Sequence, residues 1–573
     1  MKKDLSKFLY ILGKRNLWLS YIVLLGTLLN AILEMASIGS IIPVLTLIFT
    51  GEVNELGFLN PYIADYSERE LYTFFLMAIL SIFIFKTVYQ AIFFYFLGLY
   101  SSKVYFDVST NLYLRYLSRD YFAHIQENTA NKVQLVNNES NMSVQGYLKP
   151  LMSILTETFS IIGISILLLI YDYKSFLILS SFLLIIFSLA VLTTRKLLTD
   201  IGNQRTDLEI QKLKDIQQSF FGFKFVKLSN SFDYVANLFK NSNSKVASIR
   251  AKEFFLKQTV RPALELSVIL SICFLSYYLY SSGMSRDDIL ILMSLYLTSA
   301  IRLLPSMNRI IGGVQSMNFF SNVIDRLFNA YQEKKIVTIE NKHFKKKTKN
   351  LSYIFFEDVA FSFDSSKDNL FQDINLSFNK FSFVGLIGES GSGKSTFLNI
   401  LIGLIKPNIG NVFNQSDNIS VLEDKWYSKI GYVPQDVYLI DDTIRNNIAF
   451  GIDSKAIDDE LVLKAAKRSN LISFINQQEL GLDAIIGENA TKISGGQKQR
   501  LAIARALYND PEILVFDEAT SALDHDTEKE IIKEILMLRS HKTIFFSSHK
   551  SDSLMDADRV LEFKNKGITD IKI

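Results

Sequence analysis

Long apolar segments alternate with polar ones over the first half of the chain. Six of these segments each contain about twenty mostly apolar residues, the length that an α-helix needs to cross the hydrocarbon core of a bilayer. They cover residues 17–49, 71–100, 151–171, 176–194, 262–281 and 289–304. The first two exceed this length, so we expect those helices to tilt or to continue into water. The pattern predicts a membrane domain of six helices.

The loops between the segments differ in charge. The N-terminus and the loops around 101–148 and 195–261 are rich in lysine and arginine, whereas the alternate loops are short and acidic or weakly charged. Because positive residues concentrate on the cytoplasmic side of membrane proteins, both termini are predicted to be cytoplasmic. The two basic loops are polar with a helical pattern, so the membrane helices should extend into the cytosol. We therefore expect a multi-pass protein of the cytoplasmic (inner) cell membrane.

The pattern changes beyond residue 330. Residues 331–350 are rich in lysine and poor in apolar residues, which is typical of a solvated linker. Further on, short β-type runs such as FSFVGLIG and EILVFDEA alternate with helical patterns, which predicts a parallel α/β sheet. The predicted organisation is a transmembrane domain over 1–330, a linker over 331–350 and an α/β domain over 351–573.

The composition agrees with a membrane protein and excludes several other classes. Of the 573 residues, 49% are hydrophobic and 13% aromatic, and the mean hydropathy is +0.19. A net charge of +3 is too small to indicate a nucleic-acid partner, and no nucleic-acid-binding motif is present. A single cysteine excludes an internal disulfide, and the five histidines lack the spacing of metal ligands.

A glycine-rich phosphate-binding pattern lies within the soluble part. The stretch GESGSGKST satisfies G-x-x-x-x-G-K-[ST] and stands between an apolar strand, FVGLI, and a helical run, FLNILIGLI. The glycines let backbone amides approach phosphates, and the helix N-terminus adds the positive end of its dipole. We expect the lysine to reach the β- and γ-phosphates and the following serine to ligate Mg²⁺. The predicted nucleotide-binding residues are Gly388, Glu389, Ser390, Gly391, Ser392, Gly393, Lys394, Ser395 and Thr396.

Two acidic residues follow an apolar strand in ILVFDEAT. The strand places Asp517 and Glu518 at its C-terminal end, where open α/β sheets bind ligands. We predict that Asp517 holds Mg²⁺ and that Glu518 polarises the attacking water. The alternative is a solvated acidic strand end, which the apolar residues before it disfavour.

A second loop that could bind an anion occurs in TKISGGQKQR. Ser494, Gly495 and Gly496 precede an amphipathic helix, which Ser494 can cap. The glycines and the helix dipole together make an anion site that could meet the γ-phosphate. The residues alone leave open whether it does so within one chain.

The motifs GESGSGKS, YVPQD, ISGGQ, ILVFDE, SALD and SSH, in this order, resemble the nucleotide-binding domain of ABC transporters. Six spans ahead of that domain resemble the exporter class, so the resemblance implies an α-helical membrane domain and an α/β P-loop ATPase that uses ATP and Mg²⁺. In that family the ISGGQ-type loop faces the phosphate loop of a second domain. The resemblance therefore implies a homodimer in which Ser494, Gly495, Gly496 and Gln497 complete the partner's ATP site.

The same resemblance implies further roles. Phe363 occupies the position of an aromatic residue that stacks on adenine, where tyrosine is commoner. Gln435 would contact Mg²⁺ and the attacking water, and His549 would contact the γ-phosphate. Asp524 belongs to the segment that couples the two sites. Because these catalytic positions are intact, a homodimer with two working sites is the simplest interpretation.

Ionisable residues inside the predicted spans are costly and are candidates for function. Arg302 and Arg309 flank Pro305 and are seven residues apart, so a continuous helix would place them on one face. Two guanidiniums on one face suit a phosphate or pyrophosphate group. The alternative is that they pair with acidic residues of the bundle or extend to the membrane interface. The candidate substrate residues are Arg302, Arg309, Lys86 and Glu34, and the other acidic residues in spans are Glu157 and Glu265.

Three short segments carry a narrower resemblance. LEMASIGSIIPVLTLIF, FKFVKL and RLLPSMNRII are similar to bacterial lipid-linked oligosaccharide flippases. The resemblance implies translocation of a polyprenyl-pyrophosphate glycan. The alternatives are an exporter of drugs, peptides or other lipids and, against the intact catalytic residues, an ATP-gated regulator or channel.

Overall fold

The computed structural model describes residues 2–41, 43–44, 67–171, 173–283, 286–332, 353–363, 370–415, 417–419, 424–487, 492–520, 525–564 and 567–571. The chain forms two compact units. The first consists of Met1–Arg119 and Ile125–Lys335, and the second of Asp120–His124 and Ile336–Ile573. The predicted linker therefore falls almost wholly outside the described residues.

The first unit is helical. Its helices and the short helix that crosses its boundary are α1 Lys2–Gly39, α2 Glu68–Leu117, α3 Tyr121–Gln126, α4 Thr129–Val133, α5 Ser140–Met142, α6 Lys149–Tyr171, α7 Tyr173–Phe221, α8 Phe223–Leu228, α9 Phe232–Gln258, α10 Val260–Ser281, α11 Arg286–Phe319 and α12 Ser321–Gln332. Two π-helical turns, Gln134–Glu139 and Ser143–Leu148, flank α5.

Each of the six predicted spans overlaps one long helix of this unit. Within the described part of the chain, five helical stretches are long and apolar enough to cross a membrane by length and composition. They are Lys3–Gly39, Arg69–Leu117, Thr129–Ile166, Phe176–Phe221 and Phe232–Ser281. The sixth predicted span lies in α11, which is not among these stretches. A helical domain with several candidate spans is therefore present, and the number six stays a prediction.

Two helices are far longer than a bilayer requires. Helix α2 has 50 residues and α7 has 49, so each is about 75 Å long at 1.5 Å per residue. The hydrocarbon core is only about 30 Å thick. Both helices must therefore extend well into water, as the polar loop patterns predicted.

Helices α7 and α11 approach each other closely at Gly202. A Cβ atom at this position would lie 2.0 Å from the carbonyl oxygen of Phe319, the last residue of α11. That atom belongs to the backbone and cannot rotate away. The absence of a side chain at Gly202 therefore permits this helix contact.

We expect Gly202→Ala to destabilise the membrane domain by about 1–3 kcal/mol, because the methyl group forces the two backbones apart. The measurement is thermal unfolding of the purified protein in detergent. Gly98→Ala is the matched control, since a Cβ there meets nothing within 4 Å. Equal transition temperatures for the two variants would contradict the close approach.

The second unit contains two sheets and the helices that cover them. Its strands are β1 Ile354–Phe361, β2 Phe371–Phe378, β3 Phe383–Gly388, β4 Ile409–Asn414, β5 Asp417–Asn418, β6 Ile430–Val433, β7 Ile513–Asp517, β8 Thr543–Ser547, β9 Arg559–Lys564 and β10 Gly567–Ile571. Its α-helices are α13 Lys394–Leu401, α14 Asp424–Tyr427, α15 Ile444–Ile448, α16 Asp459–Arg468, α17 Ile472–Asn476, α18 Gly495–Tyr508 and α19 His525–Leu538.

The six-stranded sheet has the order β10-β9-β3-β8-β7-β6. All of its neighbours pair in parallel except β10 and β9. Strands β7 and β8 are buried at every position, which explains their continuous apolar sequences. This sheet confirms the α/β prediction for the second half of the chain. The sequence patterns did not predict the four-stranded antiparallel sheet β2-β1-β4-β5.

The two hydrophobic clusters of this unit contain different helices. Helix α13 contributes Phe397 and Leu398 to a cluster that also includes residues of the antiparallel sheet, such as Phe356. Helix α18 contributes Leu501 and Ile503 to the other cluster. The two loops that were predicted to bind anions therefore begin helices that pack into separate parts of the core.

Candidate functional site

The first phosphate loop connects β3 to α13, as the sequence predicted. Its last glycine, Gly393, has φ +103, a left-handed conformation that favours glycine. A Cβ there would lie 2.6 Å from the ring of Phe371. Both facts explain why the loop needs glycine directly before the helix.

Lys394 is the first residue of α13 and is only 4% exposed. Its ammonium group donates to the carbonyl oxygens of Gly388 at 2.7 Å and Glu389 at 3.2 Å. It also lies 3.5 Å from Oε1 of Glu518. The loop carbonyls thus hold a buried positive charge at the mouth of the helix, next to a carboxylate.

Asp517 ends β7 and lies beside this loop. Its Oδ1 atom accepts hydrogen bonds from the hydroxyls of Ser395 at 3.1 Å and Ser547 at 3.0 Å. Burial raises the pKa of the Asp517 carboxyl above its ordinary value, and the two serine hydroxyls partly offset this shift. Ser395 and Asp517 offer the hard oxygen atoms that Mg²⁺ prefers, so the residues present fit this ion.

Glu518 is the point on which the other predicted catalytic residues converge. Gln435 donates from Nε2 to Oε2 of Glu518 at 2.7 Å, and Nε2 of His549 lies 2.7 Å from Oε1. The backbone of Glu518 has φ +48, which is strained for a residue with a side chain. Its amide donates to the hydroxyl of Ser547 at 2.8 Å, which helps to hold this conformation.

Ser547 is a site residue that sequence reasoning did not single out. It binds both acidic residues of the motif, Asp517 through a carboxylate oxygen and Glu518 through the backbone. The available signal was the SSH motif at the end of β8, because β8 pairs in parallel with β7 and brings Ser547 opposite Asp517.

In the second loop, Ser494 caps the N-terminus of α18, as its position in the sequence predicted. The Ser494 hydroxyl accepts from the amide of Gln497 at 3.3 Å, and the Gln497 side chain accepts from the amide of Ser494 at 2.8 Å. Gly495 and Gly496 form the first turn of the helix. This capping box fixes the loop and leaves an amide-lined helix N-terminus of the kind that binds anions.

Two predicted nucleotide residues have a different status. Phe363 is half exposed, and its ring centroid lies 5.2 Å from that of Phe361 and 6.1 Å from that of Phe122. Stacking of adenine on Phe363 stays a prediction. Asp524 lies outside the described residues.

The two candidate substrate arginines form ion pairs. Arg302 pairs with Glu34 of α1, and Nε of Arg309 lies 2.5 Å from Oε1 of Glu157 of α6. Both arginines belong to α11, which continues through Pro305. The structure thus contains the pairing that the sequence left as an alternative.

The other two charged residues of the predicted spans, Lys86 and Glu265, have partners outside these two ion pairs. Lys86 donates to the hydroxyl of Ser37 at 3.1 Å. Glu265 pairs with Arg261 at 2.9 Å on the same helix, and both of these side chains are exposed. Glu265 is therefore separate from the two pairs on α11.

Comparison with known proteins found similar sequences over most of the chain. The family model for the ABC transporter matches residues 371–521. The ATP-dependent lipid A-core flippase of Ralstonia nicotianae is 27% identical over 83% of this chain and 80% of that protein. The protein of the same name from Wigglesworthia glossinidia brevipalpis is 27% identical over 91% of this chain and 90% of its own length.

The fold of the whole chain matches a solved exporter. The structure of a bacterial Atm1-family ABC exporter with ATP bound superposes with a TM-score of 0.79, covers 96% of this chain and 94% of that chain, and is 21% identical. A helical part and an ATPase part therefore occur in one chain, in the same order as in that exporter. Residues 371–521 belong to the ABC transporter ATPase family, and the whole chain is similar to exporters of that family, which indicates that ATP hydrolysis is coupled to transport across a membrane.

Proposed function

We propose that this ABC transporter is a homodimeric flippase that moves a lipid-linked oligosaccharide, a polyprenyl-pyrophosphate glycan, across the cytoplasmic membrane. The observation that carries the proposal is the polar face of α11 within the membrane domain. The names of the relatives from Ralstonia and Wigglesworthia, which are lipid flippases, support a lipid as the transported molecule.

The polar face of α11 contains more than its two arginines. Ser299, Arg302 and Ser306 lie within two turns of each other, and both serines are fully buried. The hydroxyls of both serines and Nε of Arg302 have no hydrogen-bond partner among the residues that the structure describes. Buried polar groups normally have partners, so these donors support a polar ligand at this face.

The two ion pairs are compatible with ligand binding. Arg309 is 43% exposed although its partner Glu157 is buried, so the guanidinium can reach a second anion. A pyrophosphate offers several oxygens for the bidentate geometry of arginine. Lys86 and Glu34 belong to the same proposal. Glu34 pairs with Arg302, and Lys86 of α2 adds a positive charge next to α1, where it donates to the hydroxyl of Ser37.

In this proposal, each motif residue of the ATP site has its own role. The loop of Gly388–Thr396 and Lys394 hold the phosphates, and Phe363 stacks on adenine. Ser395, Asp517 and Gln435 hold Mg²⁺, which when bound neutralises phosphate charge. Glu518 accepts a proton from the attacking water, and His549 orients the γ-phosphate. The contacts of Gln435 and His549 with Glu518 support these roles.

An exposed aromatic surface supports the homodimer. Phe220, Phe221, Phe223 and Phe225 around the α7–α8 turn are more than half exposed in the single chain. Exposed apolar patches of this kind mark interaction surfaces.

We assign a second copy of this chain as the partner, because Ser494, Gly495, Gly496 and Gln497 begin a helix in a different part of the core from the phosphate loop. In the dimer these residues and Asp524 would complete the partner's ATP site.

The substrate assignment predicts the behaviour of Arg302→Gln/Arg309→Gln. This double variant should lose at least tenfold of the ATPase stimulation by a polyprenyl-pyrophosphate oligosaccharide and keep its basal ATPase, because an amide lacks the charge-assisted grip of a guanidinium. The measurement is ATP hydrolysis by the full chain in proteoliposomes, with and without the lipid-linked oligosaccharide.

Arg261→Gln is the matched control, since Arg261 also pairs with a glutamate of the membrane domain but lies exposed on α10. If the arginines only hold the bundle together, the double variant should lose thermal stability and both activities together. A stable double variant with full stimulation would defeat the pyrophosphate site and favour an exporter of drugs, peptides or other lipids.

A further inference from the structure

A buried glutamate outside the catalytic motifs joins two segments of the ATPase domain. Glu528 lies in the first part of α19 and is only 3% exposed. Burial of a carboxylate is costly unless hydrogen bonds and charges compensate for the loss of water. The partners of Glu528 therefore show what the residue is buried for.

Three side chains supply this compensation. Oε1 of Glu528 accepts from the hydroxyls of Thr520 at 2.8 Å and Ser553 at 3.2 Å, and Oε2 accepts from Nζ of Lys550 at 2.6 Å. Burial raises the pKa of the Glu528 carboxyl, but the bonds from Lys550, Thr520 and Ser553 and the charge of Lys550 together outweigh it, so the net pKa is below the ordinary value. Glu528 is thus an ionised acceptor with directional bonds.

Two of these partners, Thr520 and Lys550, lie next to the pair formed by Glu518 and His549. Thr520 follows Glu518 by two residues, and Lys550 directly follows His549. Nε2 of His549 lies 2.7 Å from Oε1 of Glu518. One carboxylate therefore binds the chain just after Glu518 and the chain just after His549, and it closes a ring of contacts with the pair itself.

The position of Lys550 distinguishes this arrangement from ordinary core packing. Its side chain is 56% exposed, so burial alone does not draw it toward α19. Exposed ion pairs contribute little to stability, whereas a bond to a buried carboxylate holds the end of the Lys550 side chain against α19 and so restrains the segment that contains His549. This arrangement suits a role of Glu528 in positioning Glu518 and His549.

We infer that Glu528 is a positioning residue for ATP hydrolysis, which holds the segments of Glu518 and His549 in mutual register through Thr520 and Lys550. This inference rests on the catalytic roles proposed above for those two residues. Positioning groups that do not touch the reacting atoms can control rate strongly, because small displacements of a base or its partner are costly.

The test compares Glu528→Ala, Glu528→Gln and Lys550→Met in the full chain, reconstituted in proteoliposomes. We expect Glu528→Ala to lower kcat for ATP at least tenfold with less than a threefold change in KM and in the Kd for ATP. Glu528→Gln keeps an oxygen acceptor for the hydroxyls and should fall in between. Lys550→Met should lower kcat without further loss when combined with Glu528→Gln, because both remove the same bond.

Glu530→Ala is the matched control, because Glu530 lies on the same helix but is exposed. A kcat within twofold of the unaltered protein for Glu528→Ala, or additive effects of Glu528→Gln and Lys550→Met, would overturn the inference. If Glu528→Ala does not fold, the other two variants and their combination decide it by the same criteria. Glu518→Gln distinguishes failure of the proposed catalytic role of Glu518 from failure of the positioning role of Glu528. Full ATP turnover in Glu518→Gln refutes the catalytic role. Loss of turnover in Glu518→Gln together with normal turnover in the Glu528 variants refutes only the positioning role.

Discussion

Glu518→Gln should lower steady-state ATP hydrolysis by about 10²–10⁴-fold, the range typical of a general base. An amide cannot accept the proton of the attacking water at neutral pH. The change keeps the size of the side chain, and its amide oxygen can still accept the bond from Gln435. ATP binding should change little, because Lys394, Ser395 and Asp517 stay in place.

Hydrolysis and ATP binding must be measured on the same preparation of the full chain. Glu530→Gln, which removes a carboxylate from an exposed position of the same domain, should hydrolyse ATP at the unaltered rate. Parallel loss of hydrolysis and binding in Glu518→Gln would indicate damage to the phosphate loop. Normal hydrolysis would remove Glu518 from its proposed role.

The local parts of the ATP site could be predicted because each is written in consecutive residues. A strand, a glycine loop and a lysine at the start of a helix are sufficient to specify where Lys394 and Ser395 lie. Asp517 follows for the same reason, since an apolar strand leads directly to it. The structure adds the bonds between these pieces, such as Ser395 to Asp517.

Contacts between segments that are distant along the chain could not be predicted from the sequence. The pairing of Ser547 with Asp517 depends on the neighbouring positions of β7 and β8 in the sheet, and a single sequence does not state strand order. The same holds for the intramembrane charges. The sequence identified Arg302 and Glu34 as costly in a membrane, but their pairing depends on the packing of α11 with α1.

The two π-helical turns also escaped the sequence patterns. They lie within an otherwise helical stretch, where one face packs so closely that a Cβ at Gly146 would lie 2.2 Å from the ring of Phe320. A π turn widens the helix by altering its hydrogen-bond spacing. Apolar periodicity predicts that a helix is present, whereas this local adjustment follows from the packing of its neighbours.

Co-expression of Lys394→Ala with Ser494→Arg should restore ATP hydrolysis that neither variant has alone. Lys394→Ala removes the cation of the phosphate loop, and Ser494→Arg places a bulky side chain at the N-terminus of α18 in place of its cap. If each ATP site combines the phosphate loop of one chain with the second loop of its partner, a mixed dimer has one site with both changes and one intact site. Mixed dimers, isolated with two different affinity tags, should reach roughly half the activity of the unaltered dimer if the two symmetric sites act independently.

The reciprocal mixture gives the opposite expectation and serves as the control. A dimer of one unaltered chain and one chain with both substitutions has no intact site in the shared arrangement, but it has one if each chain builds its own site. Activity in the first mixture and not in the second therefore supports ATP sites shared between copies, and the reverse pattern refutes them. Thermal unfolding of each variant must accompany the measurement, because loss of the Ser494 cap alone costs about 1 kcal/mol. Such a loss is small beside the stability of a folded domain, so an inactive but folded Ser494→Arg chain can be attributed to the obstructed loop.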